Sequence, residues 1–156
     1  CFSEDYRNYK TARTNEYAIE ILKEYFPKKR IIDLDLKKND KVPYQGVLHL
    51  DCTFNPIGKD KCIIYKDGFV DESDYQLIID IFGEENCFHI TPEEMFEMYP
   101  NIFSISPEVV VSDETFTRMN DFLRNEWGFT VEEIPYREIS KMGGLLRCST
   151  MPLVRE

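Results

Sequence analysis

Twice along this 156-residue chain the apolar residues change period in the same order, and that order restricts the fold more than any other feature. Residues 47–54 and 61–65 read as two short strands separated by turn residues. Glu72 to Phe82 then carries Tyr75, Leu77, Ile78, Ile81 and Phe82 at helical spacing, with Gly83 just past the end, and residues 86–90 read as a strand. The order returns in strands over 102–106 and 109–112, a helix capped by Ser112 or Asp113 that runs to Trp127, and a strand over 129–134. Between the copies, Thr91 and Pro92 mark the start of a short helix. A strand-strand-helix-strand unit recurring at roughly 50 residues marks a repeat architecture. Before the first copy, a helix from Thr14 to Pro27 and a half-buried strand over 30–36 look like the tail of a preceding unit. Residues 145–150 look like the first strand of a following one. The expectation is a repeated α/β arrangement forming a single domain over residues 1–156.

The chemistry-bearing residues sit at the edges of these elements. Gly143-Gly144 feeds Leu145-Leu146 and delivers Cys148 beside Arg147. Small residues let the backbone bend and a substrate come close, and a neighbouring cation favours the thiolate, the attacking form of cysteine. In the stretch 46–54, His49 and Asp51 share one face if that stretch is a strand. A thiol, an imidazole and a carboxylate on short elements point to a cysteine-nucleophile site for a cationic, guanidine-type substrate.

Composition narrows the partners. A net charge of −10 disfavours nucleic acid and anionic membrane and suits a small cationic ligand. With 42% hydrophobic and 31% charged residues the chain is ordinary globular material. Cysteines at 1, 52, 62, 87 and 148 are odd in number and form no CxxC pair, so reduced thiols and a cytoplasmic location are expected. The spacings of Cys52, Cys62, Cys87 and His89 match no usual zinc pattern. No apolar run reaches the length of a membrane span. The chain opens on Cys1, which points to a fragment or a processed chain.

Three motifs in one order, Arg13-Thr14-Asn15 before a helix, His49-Leu50-Asp51, and Arg147-Cys148-Ser149-Thr150-Met151-Pro152-Leu153, closely resemble the guanidino-group-modifying superfamily. Its members include arginine deiminase, dimethylarginine dimethylaminohydrolase and glycine amidinotransferase. The resemblance implies an α/β propeller (pentein-type) of five ββαβ units, with this chain matching roughly its C-terminal half and the N-terminal repeats absent. It implies Cys148 as nucleophile, His49 as general acid/base, Asp51 on the guanidinium and Arg13 on the substrate's α-carboxylate. No metal and no cofactor are implied. In the dimethylarginine hydrolases a lysine stands at the place of Asp51, so Asp51 leans toward the deiminases and amidinotransferases. The family also draws two acidic residues from its N-terminal half. That half, or a second copy of this chain, is therefore the expected macromolecular partner, and an arginine-like guanidino compound the small one. The expected activity is hydrolysis through a covalent thiouronium. Amidino transfer to an amine is the alternative, and a non-catalytic propeller binding protein is the alternative outside enzymes, since the fold also occurs in a ribosome anti-association factor.

Overall fold

The computed structural model describes residues 14–39, 41–151 and 153. Its organisation follows from a strand that is apolar on both sides. In β2 (Lys61–Ile64) the side chains of Cys62, Ile63 and Ile64 are all fully buried. A strand apolar on both faces needs cover on both. β2 is the middle strand of a three-stranded sheet, antiparallel to β1 (Phe54–Ile57) and parallel to β3 (Cys87–His89). Parallel neighbours require a crossover, supplied by α2 (Glu72–Phe82). Cys62, Ile64 and Cys87 face Tyr75, Ile78 and Ile79 of α2. Ile63 and Phe88, one step along, face the opposite way, into a core shared with the second unit.

That second unit repeats the topology. β4 (Phe103–Ser104), β5 (Val109–Asp113) and β6 (Thr130–Ile134) form a sheet in that order, β4 antiparallel and β6 parallel to β5, with α4 (Thr117–Asn125) as the crossover. Met119 and Leu123 of α4 meet Ile63 and Phe88 of the first unit. Between the units lies α3 (Pro92–Phe96), started by a reciprocal cap in which Thr91 Oγ1 accepts from Glu94 N and Glu94 accepts from Thr91 N. Glu94, nearly buried, also takes the Arg118 guanidinium, whose Nη2 reaches the His89 carbonyl. That charged fork fastens α4 to α3. α5 (Arg137–Ser140) closes the order before the glycine pair.

The strand-strand-helix-strand order recurs as expected, but the first strand of the first unit lies at Phe54–Ile57, largely in residues read as the turn, and three further details differ. Residues 30–35 do not make a strand: only Leu36 forms a bridge, to Phe69, while Asp35 O and Lys37 N bond to Val70 N and Gly68 O. The segment edges the 68–70 turn with too few bonds to form a ladder. β5 continues through Asp113, so neither Ser112 nor Asp113 caps α4. Asp113 instead accepts from Thr115 N and, across the sheet end, from Tyr136 N. The opening helix, α1 (Glu16–Tyr25), is capped by Asn15 Oδ1 accepting from Ala18 N, yet it buries no residue.

Three thiols lie inside the first unit. Burial pushes Cys52 up to about 12, with the Asp51 carboxylate adding to it, and burial raises Cys62 and Cys87 too. An unfolded chain releases such protons near its ordinary thiol value of 9.0, whereas the folded Cys52 keeps its proton to about 12. Between those values the unfolded state binds fewer protons. Stability therefore falls as pH rises, by about 1.4 kcal/mol per pH unit for each thiol so held. Tyr65, Tyr75 and Tyr99, raised by burial, act in the same direction. The urea midpoint is expected to be clearly lower near pH 10.5 than near pH 8; equal midpoints would contradict this account.

Candidate active site

His49 and Asp51 do not sit on a strand. The stretch expected to be one folds instead into a short 3-10 turn, Leu50–Cys52, preceded by His49, and β1 begins only at Phe54. Cys52 N bonds to His49 O at 3.1 Å and Thr53 N to Leu50 O at 2.9 Å. Upstream, Lys38 Nζ donates to the carbonyls of Val47 and Leu48, each at 2.7 Å, and Val47 N reaches Lys37 O. The carbonyls of 47 and 48 are met by an ammonium instead of by a neighbouring strand. On a strand, residues two apart are about 6.6 Å apart along the chain. The turn brings His49 Nδ1 to 3.9 Å from Asp51 Oδ1.

The segment 145–150 likewise turns rather than extends. Ser149 N bonds to Leu145 O, Ser149 Oγ reaches the same carbonyl at 2.6 Å, and Thr150 Oγ1 reaches Leu146 O at 2.9 Å. Hydroxyls that bond back to carbonyls four residues earlier favour this coil over a ladder. Leu145 and Leu146 anchor the turn in the core shared by the two units, while Cys148 is exposed. Gly144 has φ +157°, and a Cβ there would lie 3.0 Å from Cys148 Cβ. Any side chain at 144 would press on the cysteine.

The two turns face each other. Cys148 Sγ lies 3.5 Å from Asp51 Oδ2, and donor atoms of His49, Asp51 and Cys148 all fall within 4.8 Å of one another. His49 and Asp51 are partly buried, and Cys148 is exposed. One thiol, one imidazole and one carboxylate at this spacing can attack, shuttle a proton and hold a cation. The same three atoms are close enough to share a soft divalent ion such as zinc. Arg147, expected to act as a neighbouring cation, is exposed, and its backbone N donates to the Asn101 carbonyl. Arg13 lies outside the described residues.

Sequence reasoning passed over Asn101. Fully buried between the two turns, its Nδ2 lies 3.2 Å from Cys148 Sγ and 3.4 Å from the Asp51 carbonyl. Its Oδ1 accepts from the backbone N–H of Leu145 and Cys148. An asparagine after Tyr99-Pro100 reads as one more loop residue, and no pattern in the sequence separates it from the others.

The chain also resembles known proteins in sequence and in fold. The family model described as N,N dimethylarginine dimethylhydrolase, eukaryotic, matches residues 9–155. The uncharacterised protein YkgA of Bacillus subtilis (strain 168) is 30% identical over 144 residues, which cover 92% of this chain and 46% of YkgA. An arginine deiminase of Latilactobacillus sakei subsp. sakei (strain 23K) is 39% identical over 67 residues, 43% of this chain and 16% of that enzyme. Among solved structures, the product-bound N-terminal domain of ArgZ, a cyanobacterial arginine dihydrolase, superposes with a TM-score of 0.77 at 18% identity. That superposition covers 91% of this chain and 48% of the ArgZ domain. The chain spans less than half the length of each of these relatives.

Proposed function

The chain belongs to the N,N-dimethylarginine dimethylhydrolase family, and from that premise we propose that it hydrolyses the guanidinium or ureido carbon of arginine or a related compound through a covalent cysteine intermediate. The observation that carries the reading is the meeting of Cys148 Sγ, the Asp51 carboxylate and the His49 imidazole within 4.8 Å, from turns about a hundred residues apart in the chain.

A guanidinium carbon is a poor electrophile because its charge is spread over three nitrogens. Asp51 holds the N–H groups in plane and fixes the carbon over the sulfur, which removes most of the entropic part of the barrier. The Cys148 thiolate forms the C–S bond and the carbon becomes tetrahedral. His49 donates a proton to the departing nitrogen as the C–N bond breaks, leaving an S-thiouronium. The imidazole, now neutral, takes a proton from water as oxygen adds to the same carbon. Collapse breaks C–S and returns the thiolate, and the ureido product becomes neutral as its hydroxyl proton passes to the departed amine or to solvent. Asp51 binds that product more weakly than the cation it replaced, so charge loss helps product leave.

Asp51 also bears on substrate class. A carboxylate on the guanidinium edge favours unmethylated N–H groups, which sets this chain toward arginine and away from dimethylated nitrogen. Leu48 and Leu50 flank His49, Met142 precedes the glycine pair and Met151 follows Cys148, all exposed. Relatives of about twice the length and this apolar rim support a site completed by further polypeptide, as the other units of an α/β propeller or as a second copy. No helix of the described residues is long and apolar enough to cross a membrane, and a reduced, reactive thiol suits the cytoplasm.

The test is chemical. Chloroacetamidine is expected to alkylate Cys148 ahead of the buried Cys52, Cys62 and Cys87. Incubation with arginine is expected to yield citrulline and ammonia, or ornithine and urea, with or without glycine present. A new guanidino compound formed only with glycine would reassign the chain as an amidinotransferase. Labelling of Cys148 no faster than of Cys52, Cys62 and Cys87, with arginine unchanged, would favour a binding protein.

A further inference from the structure

The geometry points to Asn101 as the residue that prepares Cys148 for attack: we propose that its side-chain amide donates to the sulfur, favours the thiolate and locks it against Asp51. The inference rests on Cys148 being the nucleophile and adds a role that no spacing in the sequence signals. Its orientation is fixed by its partners. Backbone N–H groups only donate, and two of them, from Leu145 at 3.0 Å and Cys148 at 3.2 Å, meet Oδ1. The Asp51 backbone carbonyl only accepts, and it meets Nδ2 at 3.4 Å. Flipping the amide would set N–H against N–H and oxygen against oxygen, so the group 3.2 Å from Cys148 Sγ is a donor.

All four bonding sites of the amide are then used, in a residue with no exposed surface. One side chain joins the nucleophile turn at three points, Leu145 N, Cys148 N and Cys148 Sγ, to the turn that carries Asp51. The Asn101 backbone is held too: its carbonyl accepts from Arg147 N at 3.1 Å. Asn55, on β1, donates to the carbonyls on either side, Pro100 at 2.6 Å and Ile102 at 3.1 Å. The buried clamp leaves the amide little room to turn away. An N–H aimed at sulfur is worth more when the sulfur is charged, because hydrogen bonds to ions are the stronger kind. It offsets the repulsion between the thiolate and the Asp51 carboxylate 3.5 Å away.

Asn101→Asp separates this role from a structural one, since it keeps an oxygen for the two backbone donors and replaces the N–H by a second acceptor. Alkylation of Cys148 by iodoacetamide, which needs thiolate but no guanidine pocket, is expected to slow at least about tenfold near neutral pH. The curve of rate against pH is expected to move upward. Asn101→Ala is expected to slow alkylation similarly and to lower the melting temperature as well. Should neither variant fold, the side-chain amide protons of Asn101 in the unaltered protein supply the test by NMR. They are expected to shift along the pH curve of Cys148 alkylation and again on alkylation, while those of Asn55 and Asn120 stay in place. Unchanged alkylation in Asn101→Asp, or Asn101 amide signals indifferent to Cys148, overturns the proposal. Loss of chloroacetamidine selectivity in the unaltered protein would instead remove the function it rests on.

Discussion

Cys148→Ser is expected to lower turnover of arginine by roughly 10⁴-fold or more while leaving the protein folded. A serine hydroxyl stays protonated where a thiol can ionise, and an alkoxide would leave the tetrahedral adduct poorly, so both halves of the reaction slow. Stability is spared for a local reason. Cys148 is exposed, and the turn is held by Leu145 and Leu146 in the core and by hydroxyl and amide bonds the substitution does not touch. Exposed substitutions away from packing or caps typically move stability within about 0.5 kcal/mol. Stopped reactions of the unaltered protein with arginine should carry the mass of a thiouronium on the peptide with Cys148, and the variant should carry none. Turnover surviving at the original rate would move the nucleophile elsewhere.

Asp51→Asn is expected to cost about 10²–10³-fold in kcat/KM for arginine, and the loss should track substrate charge. Asparagine keeps the size of the side chain and an oxygen near His49 Nδ1, so the 3-10 turn and the packing of Cys52 persist. What goes is the negative charge that a guanidinium reads. Binding of citrulline, which is neutral at the ureido carbon, should change little, whereas arginine affinity falls. Competition between the two ligands in calorimetry measures this difference directly. Equal weakening of both would mean that Asp51 supports the loop instead of the cation.

How much of this was legible in the chain can be followed residue by residue. The helix ending at Phe82 with Gly83 beyond it, the Thr91-Pro92 start and the paired strand-strand-helix-strand units follow from local rules, since side-chain period and caps act within a few residues. The family motifs were legible for the same reason, as short fixed strings around His49 and Cys148. Misreadings cluster at the edges of units. Residues 47–53 and 145–150 alternate well enough to pass as strands, yet Lys38 takes the carbonyls of the first and Ser149 and Thr150 take those of the second. Such competition is decided by side chains that no period reveals.

The order of apolar and polar residues by itself determined the crossover helices and all but the first strand of the two ββαβ units, and residue types marked three reactive side chains worth attention. Only the tertiary structure decided that those side chains meet, and that Asn101 stands between them with every bond taken. The reason is range: period and capping are properties of neighbours along the chain. The distance between residues 51 and 148 is set by two cores packing around a shared sheet.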